Sequence, residues 1–210
     1  MADILADLQG LPIAPAATQI IWFGDTGNKR GFTLDSGGTA HGRSDNASTA
    51  NQSPFTAADT YIAGSSLQLP SFSMQVGTLF RWRFSVSKTA AGVATPVYQI
   101  RIGPNQTTAD TSRLTLTGPP QTAAADVALI EMLVTCRSVG GAGVIQGTIF
   151  LNHNLAATGF ANNASGVVEG TSAGFDNTGP TIGGQFIGVS LNAGAAAVWT
   201  MTQARAEALW

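Results

Sequence analysis

The sequence has few charged side chains and few residues of the types used in catalysis. Its 210 residues include 10 lysines and arginines, 12 aspartates and glutamates, and 2 histidines, which gives a formal net charge of −2. Proteins that bind nucleic acid neutralise many phosphates with clustered basic side chains, so this composition predicts no nucleic-acid partner. So little charge also gives little self-repulsion between copies, which favours a subunit of an assembly over a freely diffusing enzyme.

Long hydrophobic runs and paired cysteines are also missing. No uninterrupted apolar run approaches the ~20 residues that span a bilayer, so no membrane partner is predicted. The first seven residues carry two acids and no base, which is not typical of a secretory signal peptide. The one cysteine, Cys136, cannot form an internal disulfide, and its place in an apolar strand-like run predicts a buried thiol.

The candidates for catalytic chemistry are scattered and incomplete. His41 lies in a polar tract and is predicted to be solvated, while His153 ends a strand and is predicted to be a hydrogen-bonded residue at the rim. Ser172 stands in a Gly-x-Ser-x-Gly match to a hydrolase nucleophile elbow, but no histidine follows it in the chain. Thr26 occupies the place where a second esterase pattern has its serine. We therefore expect a protein that is not an enzyme, with no catalytic residues, no metal site and no cofactor.

What the sequence does contain is hydrophobic alternation with a period of two. In 78–88, apolar side chains share one face and polar side chains the other, which predicts a strand with one face buried. The second face of 126–138 is mixed, so we expect a loop or a neighbouring subunit to cover part of it. The other predicted strands are 96–102, 113–117, 144–153, 166–169, 182–191 and 197–207. Turn residues separate them and no long amphipathic helix intervenes, which predicts an all-β fold, an antiparallel β-sandwich or jelly roll with an extended N-terminal arm.

The chain divides into three predicted parts. Residues 1–34 are predicted to form an N-terminal arm and a hairpin, residues 35–59 a polar loop, and residues 60–210 the jelly-roll domain. Apolar side chains in the arm would be poorly placed in water, so we expect them to dock on another protein. These candidate attachment residues are Ile4, Leu5, Leu8, Leu11 and Ile13.

Three further residues are candidates for a subunit interface. Arg81 and Arg83 alternate with aromatic side chains that are predicted to be buried, so they should face water, a neighbouring carboxylate or another protomer. Trp210 ends the chain, and a solvated terminal tryptophan would lose roughly 2 kcal/mol of burial. We expect its indole to be buried against the domain or a partner.

Several segments together resemble a module of virion proteins from tailed bacteriophages. The segments that carry the resemblance are 60–65, 76–84, 88–92, 106–110, 153–159, 197–200 and 205–207. The resemblance covers about residues 60–210 and implies that the chain is a structural protein of the virion. It also implies that 200–209, which propensity alone could make a helix, is a closing strand. No catalytic residues accompany this family.

Two structural roles in a virion follow as expectations, and an enzyme such as a depolymerase is a third, disfavoured one. In the first, the protein decorates the capsid surface as a homotrimer and contacts other virion proteins, such as the major capsid protein, through residues 1–34. In the alternative, it is a tail-fibre or tailspike component that binds a host surface glycan. Tyr61, Tyr98 and the 35–59 tract are the candidate glycan contacts. Head and tail positions remain open at this point.

Overall fold

Fourteen strands and one short helix make up the described part of the chain. The computed structural model describes residues 21–25, 30–34, 40–70, 74–163 and 166–210, and it describes side chains from residue 44 onward. The elements are β1 (Ile21–Asp25), β2 (Arg30–Leu34), β3 (Ala40–Ser48), β4 (Gln52–Phe55), β5 (Thr60–Tyr61), β6 (Leu67–Gln68), β7 (Leu79–Lys88), β8 (Val97–Gly103), β9 (Thr111–Thr117), β10 (Asp126–Ser138), β11 (Val144–His153), β12 (Gly166–Thr171), α1 (Gly179–Ile182), β13 (Phe186–Asn192) and β14 (Trp199–Leu209).

The strands form two antiparallel sheets. The larger sheet has the order β1-β2-β3-β14-β7-β10-β11-β12, and β4 also pairs with β14. The smaller sheet has the order β5-β13-β8-β9, and β6 also pairs with β13. Strands β6 and β9 of the smaller sheet pack against the two flanks of the larger one, β6 near β3 and β14, and β9 near β11 and β12. The predicted all-β antiparallel sandwich is confirmed.

The alternation of side chains along β7 and β10 places the core between the sheets. On β7, Phe80, Trp82 and Phe84 are fully buried, and the residues between them face outward. The indole nitrogen of Trp82 donates a hydrogen bond to the carbonyl of Ser65, 2.7 Å away, so the ring is fixed as well as buried. Trp199 has the same arrangement, because its indole donates to Gln121 Oε1 at 2.8 Å.

The closing strand β14 lies in the middle of the larger sheet, between β3 and β7. Ala204, Ala206 and Ala208 are completely buried, while the charged residues Arg205 and Glu207 alternate with them. A period of two puts all three alanine methyl groups on the core face, which a helix would not do. The segment is therefore a strand, as predicted, despite its alanine content.

One part of the predicted organisation is corrected by the structure. The tract 35–59 was expected to be a polar loop, but it contains strands β3 and β4, and both pair with β14. Main-chain hydrogen bonds to a central strand do not depend on side-chain polarity, so β3 forms without apolar alternation. Phe55 of β4 is 2% exposed and belongs to the core. The sandwich therefore begins before residue 60.

The N-terminal part of the chain is described only in its hairpin. Strands β1 and β2 pair in antiparallel fashion from Ile21↔Leu34 to Asp25↔Arg30, which confirms the predicted hairpin within 1–34. The arm and its five candidate attachment residues lie outside the described residues. Within the described ranges, no helix is long and apolar enough to cross a membrane.

Candidate functional site

The most distinctive surface is the outer face of the larger sheet, the face turned away from the smaller sheet. Side chains that alternate with the core residues of β7, β10, β11, β12 and β14 form it. The strand register places Arg83, Glu131, Phe150 and Val167 in one row across four strands. Such a flat surface can meet a partner through side chains while every main-chain hydrogen bond stays within the sheet.

Charged side chains form a ladder across the middle of the outer face. Arg81 Nε donates to Glu131 Oε1 at 2.6 Å, and Arg81 Nη1 lies 3.5 Å from Glu207 Oε1. Arg83 Nε lies 3.6 Å from Glu131 Oε2, with 47% of the Arg83 side chain exposed. The arginines thus bind carboxylates of their own chain, one of the three outcomes predicted for them. Because the pairs are partly solvated, they contribute little to stability, about 0–1 kcal/mol each.

Beside the ladder lies an apolar strip formed by Val127, Leu129, Phe150 and Val167. Their exposed fractions are 56%, 43%, 41% and 61%, respectively. Eight large hydrophobic side chains are exposed where the structure describes side chains, and four of them form this strip. Phe150 lies opposite Val167 and diagonally across from Leu129, whose direct partner on β11 is Asn152, so the strip runs obliquely across three neighbouring strands. It includes the mixed face of β10 that the sequence singled out, and an apolar patch of this kind typically marks an interaction site.

A shallow groove of about 500 Å³ continues the strip toward one end of the sheet. Val127 and Leu129 belong to both features. The remaining outward-facing side chains that line the groove are hydroxyls and amides, namely Ser85, Ser87, Asn152, Asn154 and Thr202. These groups both donate and accept hydrogen bonds, so the groove can bind a polar ligand as well as an apolar one.

Below this groove is a buried group that we call the His153 cluster, made of Lys88, Asp126 and His153. His153 Nδ1 lies 2.8 Å from Asp126 Oδ2, and neither side chain is exposed. Its Nε2 lies 2.9 Å from the carbonyl oxygen of Asn163. Both ring nitrogens therefore lie within hydrogen-bond distance of oxygen acceptors. His153 was expected at the rim, and the structure places it inside, where the loop after β11 covers it.

The other two members of the cluster also serve the surrounding loops. Burial acts to raise the pKa of Asp126, but hydrogen bonds from His153 and from the main-chain N–H groups of Phe160 and Val127 outweigh it, so this pKa lies below its usual value. Lys88 Nζ donates to three carbonyl oxygens, those of Thr89, Thr122 and Ala124, at 2.7–3.1 Å. Burial lowers the pKa of Lys88. All three side chains thus bind the loops that they anchor.

Ser172 and Cys136, the two potential nucleophiles considered from the sequence, are both buried in the structure. Ser172 is 8% exposed, and its Oγ accepts a hydrogen bond from the Ile145 N–H at 3.0 Å. Cys136 is 1% exposed, as predicted, and burial raises the pKa of its thiol. The backbone of His41 lies in β3, and Thr26 lies outside the described residues.

The predictions for three aromatic residues have different outcomes. Trp210 is 8% exposed and packs edge-on against Phe80, with ring centroids 5.4 Å apart, so its predicted burial against the domain is confirmed. Tyr98, named as a glycan contact, is 2% exposed and lies in the core instead. Tyr61 is partly buried, and burial raises its pKa to about 12.

A second buried polar network, centred on Arg101, was missed by sequence reasoning, as were Lys88 and Asp126 of the His153 cluster. Arg101 on β8 is 9% exposed, and its guanidinium donates to Asp59 Oδ2 and to the Asp110 carbonyl, both at 2.6 Å. Its Nε donates to Ser190 Oγ at 2.8 Å. These partners are 9 to 89 residues away along the chain, so no local sequence pattern reveals the network.

No protein-family model matches the chain, and no curated protein matches it. Among the residues that the structure describes, no group of three histidine, cysteine, aspartate or glutamate side chains could hold a metal ion. The outer face, with its ladder, strip and groove, is therefore the candidate site on geometry alone.

Proposed function

We propose that this protein is a non-enzymatic structural subunit of a tailed-bacteriophage virion, most simply a capsid decoration protein on the head surface. Residues 1–34 attach it to other virion proteins such as the major capsid protein, through Ile4, Leu5, Leu8, Leu11 and Ile13. It acts as a homotrimer, and its localisation is the virion. The resemblance of about residues 60–210 to phage virion modules supports this proposal.

The observation that carries the proposal is the contrast between the interior and the outer face. The ionisable groups of the His153 cluster and Arg101 are buried and hydrogen-bonded to the protein's own loops. The outer face instead presents an apolar strip of four side chains. Buried ion pairs that hold loops suit a durable particle component, and an exposed apolar strip suits contact with another protein.

Deletion of residues 1–19 tests the attachment. We expect the truncated protein to fold as the full chain does, because β1 begins at Ile21. It should no longer bind particles from which the native subunit has been removed, since binding to the assembled lattice depends on the arm. Electron microscopy of particles incubated with each protein would show the difference.

A second test keeps the arm and changes only its side chains. In the full chain, Leu8→Asp and Leu11→Asp together should weaken attachment, because they place two charges among the apolar attachment residues. Ala16→Asp and Ala17→Asp add the same charge outside that set and should leave attachment intact. Decoration that survives the 1–19 deletion would overturn the attachment role of the arm.

A tail-fibre or tailspike role is the second candidate, and the groove favours it. Hydroxyl and amide groups of Ser85, Ser87, Asn152 and Asn154 surround its aliphatic floor. Sugars combine hydroxyl groups with apolar faces, so this lining suits a glycan. Density on the tail in imaged particles, together with host-glycan binding that is lost in Asn152→Ala, would favour this role over decoration of the head.

A further inference from the structure

The apolar strip lies between two margins of opposite charge. On the β7 side, Arg81 and Arg83 keep 32% and 47% of their side chains exposed. On the other side, β12 forms the edge of the sheet and carries Glu169, which is exposed. The two margins are three strand spacings apart, about 14 Å. Arg205 on β14 lies opposite Arg83, so three arginines share the two carboxylates of Glu131 and Glu207 on that side. The outer face therefore has an excess of one positive charge along one margin, an apolar centre and the carboxylate of Glu169 along the other margin.

The register shows that these groups share one surface. Glu131 on β10 lies opposite Arg83 on β7 and opposite Phe150 on β11. Phe150 in turn lies opposite Val167 on β12, and Glu169 is two residues further along that strand. A partner that lies across the strip therefore meets the basic and the acidic margin at the same time.

An apolar centre with a polar rim is the usual composition of an interface between protein subunits. A surface that is basic on one side and acidic on the other complements itself when three copies turn it toward a common threefold axis. The acidic margin of the first copy then covers the basic margin of the second. Contacts of this head-to-tail kind close into a ring when the rotation between copies allows it.

We propose that the apolar strip is the contact between copies of this chain, with Glu169 of one copy paired with Arg83 of the next in a closed threefold ring. This inference rests on the proposed function through its homotrimer and adds the surface that forms it. Val127, Leu129, Phe150 and Val167 supply the buried apolar area. The charged margins set the direction in which successive copies associate.

Val167 and Val93 provide a matched pair of substitutions for the test. Their exposed fractions are 61% and 64%, but Val93 lies outside the strip, between β7 and β8. The full-length protein at micromolar concentration should have about three times the chain mass of 21.5 kDa by light scattering after size exclusion. Val167→Glu should shift the mass to that of the monomer, and Val93→Glu should leave the trimer intact.

Charge reversal tests the pairing of the margins. Arg83→Glu alone and Glu169→Arg alone should each weaken the trimer at least tenfold in dissociation constant, because each places like charges together. The double variant restores opposite charges across the contact and should recover most of the affinity. Arg83→Glu also loses the contact of Arg83 with Glu131 of its own chain, so circular dichroism must show that each variant is folded before the masses are compared.

The outcomes separate this proposal from the proposed function. A monomeric or dimeric wild-type protein, or equal masses for Val167→Glu and Val93→Glu, would overturn the strip as the threefold contact. A monomeric wild type in which Val167→Glu abolishes binding to particles would assign the strip to the virion instead, and would also overturn it. A trimer that fails to bind particles would contradict the proposed function and leave this contact supported.

Discussion

At the scale of residues, buried polar groups hold loops in place. Asp126 sits at the start of β10 and accepts hydrogen bonds from His153 and from the main chain of Val127 and Phe160. Gly159 has φ +87°, and a Cβ there would lie 2.2 Å from Asp126 Oδ2. The turn before Phe160 therefore requires glycine, because a larger residue would displace the carboxylate as well as strain the backbone. The cluster joins β7, β10 and β11 to the loop that follows β11.

Asp126→Asn should be strongly destabilising. The change removes the charged partner of a side chain that has no exposed surface, and breaking a buried pair in this way costs about 3 kcal/mol or more. We expect the melting temperature to fall by about 10 °C, as measured by circular dichroism. Asp45→Asn is the control, since Asp45 lies on β3 and is exposed. A fall of the same size in both variants would contradict a specific role for Asp126.

The loss of stability caused by Asp126→Asn should become smaller as the pH falls. The pKa of Asp126 is lower in the folded protein than the value of about 3.9 expected in the unfolded chain. Its carboxylate therefore stabilises the fold fully above about pH 4, and this stabilisation is lost as the pH falls through the folded-state pKa. The difference in stability between wild type and Asp126→Asn should accordingly narrow in acid. A gap that stays constant from pH 6 to pH 2.5 in urea titrations would contradict this.

At the scale of elements, the last strand connects the two parts of the larger sheet. β14 pairs with β7 on one side and with β3 and β4 on the other, so it joins the N-terminal strands to the rest of the larger sheet. Trp210 follows directly and covers Phe80 of β7. Its indole nitrogen is buried without a hydrogen-bond partner, so the ring contributes through packing.

Substitutions of Trp210 should separate packing from hydrogen bonding. Trp210→Ala removes a buried aromatic ring and should destabilise the fold by about 3 kcal/mol. Trp210→Phe keeps an aromatic ring against Phe80 and gives up an unpartnered N–H, so its loss should be about 1 kcal/mol. Urea unfolding followed by circular dichroism measures both variants. Equal losses for the two would show that the indole nitrogen has a role that the contacts do not provide.

At the scale of the whole molecule, the sequence predicts those parts of the fold whose pattern is local. Strands β7, β10 and β11 have the predicted bounds to within a residue, because one face is buried and the alternation is clear. β3 was missed because its sequence is polar on both faces and its pairing partner, β14, lies more than 150 residues away. The partners of His153 and Arg101 could not be predicted either, because they lie on other elements, 27 residues away for Asp126 and 89 for Ser190.

The candidate site was only partly predictable, because side chains from several strands form it. The mixed face of β10 indicated that something covers it, and the structure shows that face continuing onto Phe150 and Val167. The charged margins arise from the register of β7, β10, β11 and β12, which no single strand reveals. The sequence of one strand can therefore indicate that its outer face is covered. Which side chains lie beside that face depends on the order and register of the strands in the sheet.

Two deletions should locate the true beginning of the sandwich. Removal of 1–34 takes away β1 and β2, which lie outside β3 at the margin of the larger sheet, and should leave cooperative unfolding with a melting temperature within about 3 °C of the full chain. Removal of 1–59 also takes away β3 and β4, unpairs one side of β14 and deletes the buried Phe55. That variant should lose cooperative unfolding, because a central strand becomes an exposed edge beside an opened core. If the shorter chain melted as cooperatively as the longer one, β3 and β4 would be accessory, and residue 60 would be the start of the domain after all.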